Sequence, residues 1–267
     1  MIDPYNVLER ASAHIREAGA RVAHVSKASI HEKNGHCNYV TETDIAVEEY
    51  LKSELPPIVP GSCFFAEEQE NEALTDAYTW MVDPIDGTTN FIMGRHASCV
   101  SVALLRHRIP VLSIIYQPYL DELFTAVRGH GAFLNGRPIH VSDQPFPKAL
   151  TALGTSPYYA ELAHATAYCF ERFLTKGGDI RRVGSAALDC CDIACGRADI
   201  YFELRLSPWD YAAGALLVTE AGGKFEMPYE QNIDFGKSAC VLASNPLCYD
   251  DALKILQDAK PLIPSGL

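Results

Sequence analysis

Basic residues are scarce in this chain. Lysine and arginine number 22 against 34 aspartates and glutamates, leaving a formal net charge of -12. Such a charge repels phosphate backbones and anionic lipid surfaces, so neither nucleic acid nor a membrane is expected as a partner. No apolar run reaches the length needed to cross a bilayer. Asp3, Glu9, Arg10, Arg16, Glu17 and Arg21 interrupt any apolar core of a secretory signal near the start, and a cytoplasmic location is the expectation. The nine cysteines include no CxxC pair. Their tightest grouping, Cys190, Cys191 and Cys195, reads as reduced, buried thiols rather than a zinc site. Internal repeats, low-complexity tracts and linkers are also lacking, so residues 1–267 are expected to form one structural unit.

What is present is periodic. Apolar side chains at Val7, Leu8, Ala11, Ile15, Ala18, Val22 and Val25 recur every three or four residues and predict a helix over 4–28, started by Asp3-Pro4. A polar loop over 29–38 leads through a short extended piece to a second helix, capped by Thr41 or Thr43. Residues 62–70 read as a buried strand ending in Glu67 and Glu68. Between Ser98 and Val141, four strand-like runs separated by turns predict an antiparallel meander. The second half predicts a strand over 149–155, a helix over 158–174, a strand over 179–184, a helix over 185–195 and a strand over 198–204. A helix opened by Ser207-Pro208 and closed by Gly222-Gly223 follows, then two strands and a terminal helix from about Pro246. This order predicts a layered α+β architecture with a meander sheet in sub-layer 1–145 and a mixed sheet with helices in 146–267.

The chemistry concentrates in Trp80 to Phe91, WMVDPIDGTTNF. If Thr79 to Asp83 is a strand, Asp83 lies at its carboxyl end and Asp86 at the opening of the next helix. Pro84 stiffens the turn and leaves the Ile85 carbonyl to point the same way. Two carboxylates and a carbonyl are hard oxygen donors, the set magnesium prefers. Gly87 carries no side chain, so its N–H and that of Thr88 can approach an anion at a helix start. Glu67 at another strand end and Asp210 in the first turn of the SPWD helix each read, alone, as a solvated acid or a helix-dipole partner. Together with Asp83 and Asp86 they supply about the number of acids a binuclear magnesium site needs.

DPIDGTTNF together with WDYAAGALLVTEAGG resembles the inositol monophosphatase family of metal-dependent, lithium-sensitive phosphatases. VTETD at 40–44, AEE at 66–68, GHGAFLNGRPIHVS at 129–142 and RRVGSAALDCCDIACGRADIYFE at 181–203 extend the likeness through most of the chain, in the family's order. The resemblance implies an α/β/α/β/α fold, two or three magnesium ions per site, a small-molecule phosphate monoester as substrate, and a homodimer. In this likeness Glu67, Asp83 and the Ile85 carbonyl hold the first magnesium, and Asp83, Asp86 and Asp210 the second. Thr88 and Glu67 resemble the pair that activates the attacking water, with Asp44 supporting Thr88. Gly87 and Thr88 offer backbone donors to the phosphate. Gly184, Ser185, Ala186 and Glu203 resemble the positions that meet the alcohol part of the substrate, alongside Asp86 and Asp210. Lys33 resembles a lysine near an outer metal position. Ala66 and His96 depart from the family pattern, where glycine and proline are common.

The implied reaction is in-line hydrolysis by an activated water with no covalent phosphoenzyme, and inositol 1-phosphate is the first choice of substrate. Fructose 1,6-bisphosphate, 3′-phosphoadenosine 5′-phosphate and histidinol phosphate are alternatives on the same acids. A second phosphate would want a cation, for which Arg181 and Arg182 are the nearby candidates. A haloacid dehalogenase-type phosphatase has its two aspartates two positions apart, and Asp83 and Asp86 are three apart. A metal-loaded regulatory protein that had lost catalysis would show a missing acid, and none of the four is missing.

Overall fold

The computed structural model describes residues 2–25, 30–32 and 39–264. It opens with α1 (Pro4–Ala23), whose N-cap Asp3 accepts from the N–H groups of Tyr5 and Asn6 and which has Pro4 at its first helical position. The helix is shorter than the predicted 4–28. It closes at His24, whose ring nitrogen lies 2.5 Å from the Ala20 carbonyl, while the Val25 N–H reaches back to Val22. The predicted loop over 29–38 contains β1 (Ile30–Glu32), which pairs antiparallel with β2 (Tyr39–Thr41). Next, α2 (Glu42–Glu54) is held by a reciprocal capping box between Thr41 and Asp44.

After α2 come β3 (Cys63–Ala66), β4 (Thr79–Asp86) and α3 (Thr88–Ile92). The meander follows as β5 (Cys99–Arg106), β6 (Ile109–Gln117), β7 (Glu122–Val127), β8 (Ala132–Leu134) and β9 (Arg137–Ile139). These strands form a seven-stranded sheet in the order β3 to β9, antiparallel except for the β3–β4 pair. The second half comprises β10 (Leu150–Leu153), α4 (Ala163–Lys176), β11 (Asp179–Arg181), α5 (Ala186–Ala194), β12 (Ile200–Leu206), α6 (Pro208–Glu220), β13 (Lys224–Glu226), β14 (Ala239–Ser244) and α7 (Tyr249–Ala259). Its five-stranded sheet runs β11-β10-β12-β14-β13 and mixes parallel with antiparallel pairs. Here α4 starts later than predicted: the Tyr159 N–H closes a turn on the Ser156 carbonyl, and a 3-10 turn over Ala160–Leu162 comes before the helix.

Three apolar layers separate the elements. On the outer face of the first sheet, α1 and α2 pack through Val7, Ile15 and Leu51 against Trp80, Val82 and Leu104. Met81 and Ala103, neighbours of opposite pleat, face the inner layer with α5 and α6. All eight residues of β4 are therefore buried. On the far side, α4 and α7 cover Phe202 and Leu242 of the second sheet. The order is α/β/α/β/α, as the resemblance implies. No helix among the described residues is long and apolar enough to cross a membrane.

The sandwiched α6 is buried nearly all round and rich in alanine and glycine. A Cβ added at Gly214 would stand 2.6 Å from Cys190 Cβ and Sγ on α5. Gly214→Ala should therefore lower stability by about 1–3 kcal/mol through overpacking. An unchanged denaturant midpoint would show that α5 and α6 are not this tightly apposed.

Candidate active site

A register shift between Asp83 and Asp86 breaks the pairing of β4 with β5. Within it Asp83 Oδ1 accepts the Ile85 N–H at 2.9 Å, an Asx-type turn that aims successive groups to one side. Gly87 follows at φ +90°, and a Cβ there would lie 2.9 Å from the Ala97 carbonyl. Only glycine fits that backbone and that space. The helix behind it spans just Thr88–Ile92. So short a helix sums few peptide dipoles, and the unpaired N–H groups of its first turn, rather than a strong macrodipole, are what an anion would meet.

Three elements bring acids together here. Glu67 follows β3, its N–H bonded to the Val82 carbonyl. Ala66 before it is clasped by Asn71, which accepts its N–H at 2.9 Å and donates to its carbonyl at 2.6 Å. Asp210 occupies the third position of α6, and its Oδ2 accepts the Ser207 N–H at 2.9 Å. One carboxylate oxygen from each of Glu67, Asp83 and Asp210 lies within 4.8 Å of the others. Asp86 stands outside that close group. Its Oδ2 accepts from the Ser185 hydroxyl at 2.6 Å and the Ala187 N–H at 2.7 Å, at the start of α5. The Ile85 carbonyl accepts the Thr88 hydroxyl at 3.1 Å, with Asp44 Oδ1 3.4 Å from the same hydroxyl. Asp44 is 1 % exposed and is fixed by the Thr41 N–H at 2.8 Å.

Burial drives the electrostatics. Desolvation, then the charges of Glu67, Asp86 and Asp210, hold the Asp83 carboxyl well above the ordinary carboxylate range. Asp210 is raised well above it too, by burial first and Glu67 next. Asp86 is pushed up to about 6 by burial, against the lowering effect of its bonds from Ser185 and Ala187. Acids so placed resist ionising together unless positive charge joins them. A divalent cation with hard oxygen donors fits this set.

Glu67, Asp86 and Asp210 open onto a cavity of about 270 Å³ that Gly87, Thr88, Gly184, Ser185, Ala186 and Glu203 also line. Glu203 is held by the Ser156 N–H at 2.5 Å and the Tyr201 hydroxyl at 2.9 Å, and burial raises its carboxyl. The two candidate arginines part company: Arg181 pairs with Asp179, whereas Arg182 lines the cavity. His96 takes a left-handed conformation at φ 55° and stacks on Tyr119, away from the acids. Lys33 lies outside the described residues. Several contributors were not read from the sequence. Glu48 accepts the Glu68 N–H at 2.8 Å, and its spacing of four from Asp44 on one helical face was the available signal. Asn90 ties Ala97, Val183 and Gly184 carbonyls together. Asp189 also lines the cavity, with no spacing rule to announce it.

The model of the inositol monophosphatase family matches residues 3–260. Inositol monophosphatase 2 of Solanum lycopersicum is 40 % identical over 255 residues, covering 92 % of this chain and 96 % of that one. A protein named Nus factor SuhB from Xylella fastidiosa is 39 % identical over 225 residues, covering 82 % and 79 %. Among solved structures, an IMPase/NADP phosphatase in complex with Mg2+ and phosphate matches with a TM-score of 0.80 at 25 % identity, covering 91 % of each chain. Fold and relatives together define a phosphatase. The chain belongs to the inositol monophosphatase family.

The raised carboxyls make a pH prediction. A carboxyl whose folded pKa exceeds its unfolded value favours the folded state below the unfolded value and loses that contribution as pH climbs through the folded one. For Asp86 the window runs from 3.8 to about 6, and Asp83 and Asp210 extend it upward. Added magnesium should therefore stabilise the chelator-treated protein little near pH 4 and progressively more through pH 6. A magnesium-induced shift in denaturation midpoint that is constant with pH would contradict this.

Proposed function

We propose that this chain is a magnesium-dependent phosphate monoester hydrolase whose first substrate is inositol 1-phosphate. The observation that carries the proposal is the convergence of Glu67, Asp83 and Asp210 within 4.8 Å, two of which, Glu67 and Asp210, line a cavity that Glu203 also lines. Glu67, Asp83 and Asp210, with Asp86 and the Ile85 carbonyl, would hold two or three magnesium ions. Bound there, the metal supplies the positive charge that keeps these acids ionised, draws in the phosphate and makes water a nucleophile at neutral pH.

The chain's own groups do the rest. Glu67 and the Thr88 hydroxyl orient the attacking water, the Glu67 carboxylate takes its proton, and Asp44, immobilised by Thr41, keeps the Thr88 hydroxyl in place. The Gly87 and Thr88 N–H groups offer donors to phosphate oxygens, which gain charge in the transition state. Glu203, its carboxylate locked by Ser156 and Tyr201, accepts from the alcohol's hydroxyls, and the small Gly184, Ser185 and Ala186 leave room for a ring. The Ser185 hydroxyl itself is committed to Asp86. Both sub-layers contribute acids to one site, which suits a single domain; a cytoplasmic homodimer is the setting the family likeness favours.

Phosphate release should be measured with and without magnesium from inositol 1-phosphate, fructose 1,6-bisphosphate, 3′-phosphoadenosine 5′-phosphate and histidinol phosphate. Magnesium-dependent release, fastest from inositol 1-phosphate, is expected, and lithium should inhibit it. Asp83→Asn should cut kcat on the order of 10³-fold while the circular dichroism spectrum is kept. Full turnover by that variant would remove Asp83 from the site. A second function is favoured by the similarity to a relative named as a Nus factor: a regulatory binding role. Silence across the whole substrate panel would favour it.

A further inference from the structure

We infer that Tyr158 is a specificity-determining residue: a fixed aromatic wall that packs on the carbon face of a cyclic alcohol and favours phosphate esters of ring alcohols over open-chain ones. This rests on the phosphatase function proposed above and concerns which alcohols that same site takes. Tyr158 lines the cavity that Glu67, Asp86 and Asp210 open onto, and it is the one aromatic among the described residues that do so. It also lines a smaller recess shared with Glu203 and Asp210. Its position therefore touches both the acids and the groups that meet the alcohol. The side chain is 48 % exposed, so a large apolar surface is open to a ligand.

The backbone on either side of this ring is pinned. Ser156 takes a left-handed conformation at φ 42°, uncommon for a residue with a side chain. Its N–H donates to Glu203 at 2.5 Å. Its hydroxyl donates to the Arg205 carbonyl and accepts the Arg205 N–H, both at 3.0 Å. Pro157 then fixes φ immediately ahead of Tyr158. After it, the Tyr159 N–H closes on the Ser156 carbonyl at 3.0 Å, and the Arg205 guanidinium lies 4.9 Å over the Tyr159 ring. Ser156 thus holds the aromatic wall and the Glu203 carboxyl to one frame. A wall held this way loses little freedom when a ligand packs on it.

The chemistry of the ring suits this place. Desolvation, then the charges of Glu67, Asp210, Asp83 and Asp86, hold the Tyr158 phenol above its ordinary range. It keeps its proton and adds no negative charge to a site already crowded with carboxyls. A cyclic polyol has two kinds of surface, hydroxyls around its rim and C–H groups on its faces. Glu203 accepts from the hydroxyls, but a carboxylate gains nothing from a C–H face. An aromatic ring does, through dispersion and burial of apolar area. An open-chain alcohol presents no such face and must also freeze its own rotors to pack there.

The test compares kcat/KM for inositol 1-phosphate and glycerol 2-phosphate, with magnesium present, in the unmodified protein, Tyr158→Phe and Tyr158→Ala. Folding of each variant is checked by circular dichroism. Removing the ring in Tyr158→Ala should lower the inositol-to-glycerol ratio on the order of tenfold, mainly through KM. Tyr158→Phe, which keeps the ring, should hold the ratio. A merely structural role would lower both substrates alike, and an unchanged ratio in Tyr158→Ala overturns the inference. A ratio that falls as far in Tyr158→Phe as in Tyr158→Ala also overturns it, because the hydroxyl and not the ring would then be the reader. Equal kcat/KM for the two esters in the unmodified protein overturns it too, while leaving the phosphatase function standing. Release of phosphate from neither overturns both.

Discussion

Mutual repulsion among buried carboxylates is the constraint around which this molecule is arranged. Asp83 and Asp86 are almost closed off from water and Asp210 is half-buried, and desolvation is the first cause that raises the cost of ionising each of them. Packing three such groups near Glu67 compounds the cost. A fold evolved only for stability would fill that volume with apolar side chains. Its retention of acids makes sense when a cation neutralises them and an anion then binds the cation.

Holding repelling groups together requires rigid supports, and these are concrete. Asp83 is braced by the Ile85 N–H, Asp86 by Ser185 and Ala187 across the sub-layer boundary, and Asp210 by the Ser207 N–H of its own helix cap. Asp44 is braced in the same way by the capping box of α2. Asn90 adds a further tie by bonding to carbonyls of both halves. Some of these bonds are local and others join residues about a hundred positions apart, and together they fix groups drawn from residues 44 to 210. Preorganisation of this kind lets a site stabilise charge without rearranging during the reaction.

Much of this was legible in the sequence, for physical reasons that differ by element. The Asp3-Pro4 start, the Ser207-Pro208 start and the alternating meander strands follow local rules, and the structure has them. Helix ends were less readable: α1 closes at His24, whose ring and N–H both reach the Ala20 carbonyl, and α4 starts only after a 3-10 turn over Ala160–Leu162. At the site, Asp83 and Asp86 announced themselves by their spacing beside Gly87. Asp189 did not, since a lone aspartate within an apolar helix looks like any turn-facing polar residue until the sheets close over it. Arg181 and Arg182 were indistinguishable as letters. Arg181 shares a face of β11 with Asp179, two residues back, whereas Arg182 lies past the end of that strand and lines the cavity.

The central claim is that Glu67, Asp83 and Asp210 form a divalent-cation site shared by the two sub-layers. Crystals soaked in manganese, used as a stand-in for magnesium, test it most directly through anomalous scattering. The account predicts a peak among the carboxylate oxygens of those three residues, lost in Asp83→Asn. A protein that hydrolyses phosphate esters in manganese but shows no peak there, or shows it only elsewhere, would contradict the account.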